Sequence, residues 1–127
     1  MKKTGYIILI FAIVVLLVQF FWNRATQDTT LGKDIHSLIE QGDKQIDLTA
    51  LTNFEWVSVE VFGPYTTKEI IEDSMNIHFK GDNGGIDVLE DRFLLIFANK
   101  KHAVKTVVLS REYGDYNINN NKFLVVN

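Results

Sequence analysis

The residues able to do chemistry are few and widely spread. Three histidines, His36, His78 and His102, are the candidate metal ligands and proton carriers, and they stand 42 and 24 residues apart. None has the spacing of a His-Glu-x-x-His helix, so a metal site would need them to converge with carboxylates through the fold. The expectation is surface or partly buried imidazoles and no bound metal. Asp82-Asn83-Gly84-Gly85-Ile86-Asp87, followed by Glu90 and Asp91, is rich in oxygen donors. It lacks the alternating ligands and closing glutamate of an EF-hand, and reads first as a solvated turn and second as a weak cation site. The four serines, Ser37, Ser58, Ser74 and Ser110, lie outside any Gly-x-Ser-x-Gly elbow. The carboxylate neighbours Glu72-Asp73 and Glu90-Asp91 diverge on a helix and face opposite ways on a strand, so neither forms an acid–base dyad. Gly81, Gly84 and Gly85 lack the Lys-Ser/Thr of a phosphate loop. With no cysteine there is no disulfide framework, thiolate zinc site, Cys nucleophile or lipobox. These patterns predict no catalytic residue, no cofactor and a protein that is not an enzyme.

Two stretches suit recognition better than catalysis. Trp56-Val57-Ser58-Val59-Glu60-Val61-Phe62-Gly63-Pro64-Tyr65-Thr66 is dense in aromatics, with Trp56 and Tyr65 as anchors. Arg111-Glu112-Tyr113-Gly114-Asp115-Tyr116 has the polar–aromatic make-up of a binding loop. The candidate interaction surface is therefore Trp56, Tyr65, Arg111, Tyr113 and Tyr116. The competing reading fills the space between strand and helix with the first set and gives the second a scaffolding role.

The elements that must position these residues follow from periodicity. Leu31, Ile35, Leu38 and Ile39 recur at helical spacing before Gly42, which predicts an amphipathic helix over 31–41. Val57, Val59 and Val61 alternate with Trp56, Ser58, Glu60 and Phe62, a strand ended by Gly63-Pro64. Thr66 and Glu69 have capping-box spacing ahead of a short helix whose buried side would be Ile70, Ile71 and Met75. Strands are expected at Ile77–Lys80 and Ile86–Val88 around the glycine-rich turn. Arg92–Ala98 and Ala103–Leu109 flank a four-residue hairpin loop, and Lys122–Val126 makes a last strand. Helices early and strands run together late predict an α+β domain, two short helices packed on an antiparallel sheet.

The N-terminus has a different character. Residues 5–22 carry no charge and only Gln19 as a strongly polar side chain, with Tyr6 at one end and Phe20-Phe21-Trp22 at the other. About 18 residues rise roughly 27 Å as a helix, and the aromatics suit the two interfaces of a bilayer. Small residues are poorly placed for signal cleavage, so residues 1–22 read as a transmembrane signal anchor, a cleaved secretory signal being the rival. Residues 23–30 would be a tether and 31–127 the folded domain. Lys2 and Lys3 ahead of the run predict a single-pass cell-membrane protein with its N-terminus cytoplasmic and its domain extracytoplasmic. The chain of 127 residues has a net charge of −3; with Lys2 and Lys3 set aside, 11 basic and 16 acidic groups remain, a net −5. That balance argues against nucleic acid as a partner, since phosphate contacts need clustered Lys and Arg.

Trp56-x-x-Val59-x-Val61-Phe62-x-Pro64-Tyr65-Thr66, then Glu69-Ile70, Leu95-Ile96-Phe97 and a valine-rich strand before Arg111, resembles a poorly characterised family of small bacterial envelope proteins, lipoprotein-like or membrane-anchored. The resemblance spans roughly residues 50–125 and implies extracytoplasmic placement and an α+β fold. It brings no catalytic residues. The functional expectation is a domain that binds another envelope protein in an accessory, inhibitor or immunity-like role, with the lipid bilayer as a second partner through residues 5–22. A small-ligand or cation-binding module using Asp82–Asp91 is the alternative.

Overall fold

The computed structural model describes the backbone of residues 2–21 and 24–127 and the side chains of 3–18 and 24–127. In chain order the elements are α1 (Lys2–Phe21), β1 (Thr26–Gln27), α2 (Thr29–Glu40), β2 (Gln45–Asp47), α3 (Leu48–Leu51), β3 (Ser58–Phe62), α4 (Lys68–Met75), β4 (Arg92–Ala98), β5 (Ala103–Ser110), a 3₁₀ turn at Arg111–Tyr113, β6 (Tyr116–Asn119) and β7 (Phe123–Val126). Among the described residues the strands form two sheets. One has the order β1-β5-β4-β3, antiparallel except where β1 lies parallel to β5; the other is an antiparallel β2-β7-β6.

The β4–β5 hairpin is the spine, as its two apolar runs predict. Phe93-Leu94-Leu95-Ile96-Phe97-Ala98 is apolar without alternation because both faces of β4 are covered. On one face Leu95 and Phe97, with Val59, Val107 and Leu109, pack under Leu31 and Ile35 of α2 and against Ile46, Leu124 and Val126 of the second sheet. On the other, Leu94, Ile96 and Ala98 join Ala103, Phe62, Ile71 of α4, and Ile77, Phe79 and Ile86. The domain is thus α+β, with a central sheet buried on both sides.

The first domain helix begins slightly ahead of its expected start. The Asp28 carboxylate accepts the Leu31 N–H at 2.9 Å, which caps α2, and Gly42 follows the last turn with φ +102°. The second is capped one residue later than the sequence suggests. Thr67 Oγ1 accepts the Ile70 N–H at 3.4 Å, while Thr66 Oγ1 donates to the Gly63 carbonyl at 2.7 Å. Glu69 consequently sits one position too early to close a capping box, and Ile70 is turned outward while Ile71 is fully buried. Ile77–Lys80 makes a single isolated bridge, at His78, and Ile86–Val88 lies in a turn, so neither is a strand. Ile86 still fills the core as a plug, held by its N–H to the Asn83 carbonyl and its carbonyl to the Tyr65 N–H.

The expected transmembrane anchor is overturned. Among the described residues no helix is long and apolar enough to cross a membrane. Within the expected run the described side chains are those from Gly5 to Val18. The rest of the expected run, through Trp22, lies outside the described side chains. The signal-anchor and single-pass readings, the cell-membrane placement and the orientation drawn from Lys2 and Lys3 fall with the span. Within the expected tether Asn23 lies outside the described residues, and from Ala25 onward the chain is folded in. Ala25 is buried, its N–H donates to the Lys80 carbonyl at 2.6 Å, and β1 pairs with β5 before α2 begins.

Candidate interaction site

The five candidate surface residues fall into separate places. Trp56 is half-buried at the end of the long core. Its ring meets Phe97 edge-on with centroids 5.2 Å apart, Phe54 does the same from another side at 5.2 Å, and the Trp56 indole N–H donates to Thr52 Oγ1 at 2.9 Å. Thr52 is itself fixed, its hydroxyl donating to the Leu48 carbonyl at 2.9 Å. The indole is therefore held in one orientation by packing on one side and a hydrogen bond on the other. It borders an open groove of about 670 Å³ whose lining includes Phe54, Val57, Asn99, Asn120, Asn121 and Lys122. Val57 is 63% exposed there, an apolar side chain in solvent at the start of the sheet. Asn120 and Asn121 reach the groove on the β6–β7 loop, where both adopt the left-handed conformation that asparagine tolerates, φ +52° and +60°.

Tyr65 and Arg111 meet at a second place, through Glu90. The Tyr65 hydroxyl donates to Glu90 Oε2 at 3.0 Å, and Arg111 Nη1 donates to the Glu90 carbonyl at 3.0 Å. The hydrogen bond to Glu90 pushes the Tyr65 phenol above its ordinary pKa. These contacts fasten the Asp82–Asp91 loop. Arg92 adds to the fastening, with Nη1 on the Gly84 carbonyl at 3.0 Å and Nε on Asp91 at 2.8 Å. Within the loop, Asp82 Oδ1 accepts the Gly84 N–H and Asn83 Oδ1 accepts the Gly85 N–H. Asp82 and Asn83 thus turn these oxygens on the loop's own backbone, and among the described residues no group of three or more His, Asp or Glu is placed to hold a metal ion.

Tyr113 stands at a third place. Its ring stacks on His36 with centroids 5.3 Å apart, and its hydroxyl donates to Glu40 Oε1, which pushes the phenol up to about 12. His36 Nε2 accepts the backbone N–H of Ser110 at 3.0 Å. It faces the amide and not the hydroxyl, so the two do not form a base–nucleophile pair. Burial lowers the His36 pKa, with Glu112 and Glu40 opposing. Tyr116 is core rather than surface: it is buried, meets Phe93 edge-on, donates its hydroxyl to the Ser110 carbonyl, and burial pushes its pKa to about 12.

Of the five, Trp56 is the one that lines this groove. The groove's other walls went unread in the sequence, although Phe54 two residues before Trp56 and the run Asn119-Asn120-Asn121 were the available signals. Also unread was the meeting of His78 and His102, whose rings lie 5.6 Å apart across an isolated parallel bridge. No family model, curated protein or solved structure matches this chain.

Proposed function

We propose that this chain is a non-catalytic binding module and that the Trp56 groove receives an extended segment of a partner protein. The groove itself carries the reading: the lining of its roughly 670 Å³ combines an apolar wall of Phe54, Trp56 and Val57 with a polar one of the Asn120 and Asn121 carboxamides and the Asn99 amide nitrogen, the Asn99 oxygen being taken by the Lys101 and His102 N–H groups. Apolar side chains of a peptide suit the first wall and its backbone amides suit the second. A tryptophan whose orientation is already fixed loses little entropy on binding, the property of an interface anchor.

A photo-crosslinking residue placed at Val57 of the full chain tests this, with Val88, an equally exposed apolar position in the 84–88 turn, as the reference. The expected outcome is a discrete protein adduct from position 57 that is absent from position 88. Val57→Asp should suppress binding of that captured protein by about tenfold or more, since a charge would then be desolvated in the groove. Equal labelling from both positions would discard the groove as the docking site.

A further inference from the structure

We propose that His78 and His102 form an open, exchangeable site for a divalent ion of the zinc–copper class, held by two imidazole nitrogens with water in the remaining positions. The proposal stands apart from the groove reading.

The backbone brings the pair together. The His78 N–H donates to the Lys101 carbonyl at 2.7 Å and the Ala103 N–H donates to the His78 carbonyl at 3.0 Å, a bridge that sets residues 78 and 102 side by side. Their rings are tilted 35° with centroids 5.6 Å apart. With each nitrogen about 2.0–2.1 Å from a shared ion, two imidazole centres lie about 5.2 Å apart for a tetrahedral angle and about 6.4 Å for a linear one. The observed separation falls inside that window without any movement of the backbone. His78 is exposed and His102 is half-exposed, and among the described residues neither ring is tied up by a hydrogen bond or ion pair. This contrasts with His36, whose Nε2 already accepts the Ser110 N–H.

The surroundings select the kind of ion. Beside His78 lies an open recess of about 450 Å³ lined by Asn76, Ile77, Lys100 and Lys101. Two ammonium groups and a described lining without a carboxylate disfavour calcium and magnesium, which want oxygen ligands. Only an ion with a strong preference for imidazole nitrogen overcomes that field. With no third protein ligand among the described residues, water completes the coordination and release is easy. Bound there, the ion would clamp the segment after α4 to the β4–β5 loop.

The test is a titration of the isotope-labelled full chain with zinc sulfate, followed by NMR of the imidazoles and by the unfolding midpoint. The expected result is a one-to-one response of His78 and His102 together, His36 unmoved, and a midpoint that rises with zinc because the ion binds the native state. His78→Gln and His102→Gln should each weaken zinc by at least about tenfold, since even an outer-shell partner of a ligand is worth that much. Magnesium and calcium chlorides should do nothing. A copper(II) titration of the unaltered chain, read as selective broadening of the two rings, keeps the question answerable if either variant unfolds. A response of only one ring, an equal response at His36 or the chain's amino group, or zinc affinity kept within about twofold by either folded variant, would overturn the site.

Discussion

Thr106 is the residue most at odds with its surroundings. Its side chain lies in β5 opposite Ile96, and Oγ1 is buried with no hydrogen-bond partner among the described residues. A buried hydroxyl without a partner forfeits its hydration for nothing. Thr106→Val keeps the shape and removes the polar atom, so it should stabilise the domain by about 1–2 kcal/mol in urea unfolding. A loss of stability would mean that the hydroxyl is satisfied after all. His36 makes a second residue-scale prediction. Burial depresses its pKa, and its neutral Nε2 is needed by Ser110. The unfolded chain therefore takes up the proton first. The His36 contribution is fully present above about 6.5 and declines as the pH falls towards and through the folded value. Unfolding midpoints measured across that window should drop on acidification, and His36→Ala should flatten the part of the slope that His36 supplies. A slope unchanged in the variant would remove His36 as its cause.

At the scale of elements, the joint between the N-terminal segment and the sheet is sterically tight. Gly81 has φ +145°, and a Cβ there would stand 2.4 Å from the Ala25 carbonyl oxygen. Gly42 also has a positive φ, +102°, but nothing lies within 4 Å of its would-be Cβ. Gly81→Ala should thus cost roughly 3 kcal/mol or more, by forcing Ala25 out of its bridge, against about 1 kcal/mol for Gly42→Ala. Similar losses at the two positions would show that backbone strain and not the close approach governs both. The same comparison separates what was legible in the sequence from what was not. The α2 helix and the β4–β5 hairpin were legible because their apolar periodicity is long enough to name an element and a buried face. β1, β2 and β6 were not: they are two to four residues long, largely polar, and exist through partners far along the chain. Ile70 and Ile71 are chemically alike, and only a one-residue shift of the cap decides which is buried. The groove was legible at Trp56 alone, since its polar wall comes from two hairpin loops that only the folded sheets bring near it.

At the scale of the whole molecule, the described part of α1 presents an apolar surface that the domain does not cover. Every described side chain of α1 from Lys3 to Val18 is exposed, with Tyr6 through Val18 apolar almost throughout. A helix apolar all round is stable only when surrounded by other apolar matter. In aqueous buffer the full chain should therefore associate, giving a light-scattering mass several times 14.6 kDa. A monomer under those conditions would mean that α1 folds back onto the domain. The topology also fixes when the parts can come together. Thr26 pairs with Lys105 and Gln45 with Val125, partners 79 and 80 residues further along. At about 5–20 residues per second on the ribosome, each early strand waits some 4–16 seconds for its mate. In that interval Leu31, Ile35 and Ile46 have no finished core to enter. A nascent chain stopped before Phe123 carries β2 without the strand it pairs with, so the domain closes from its far end.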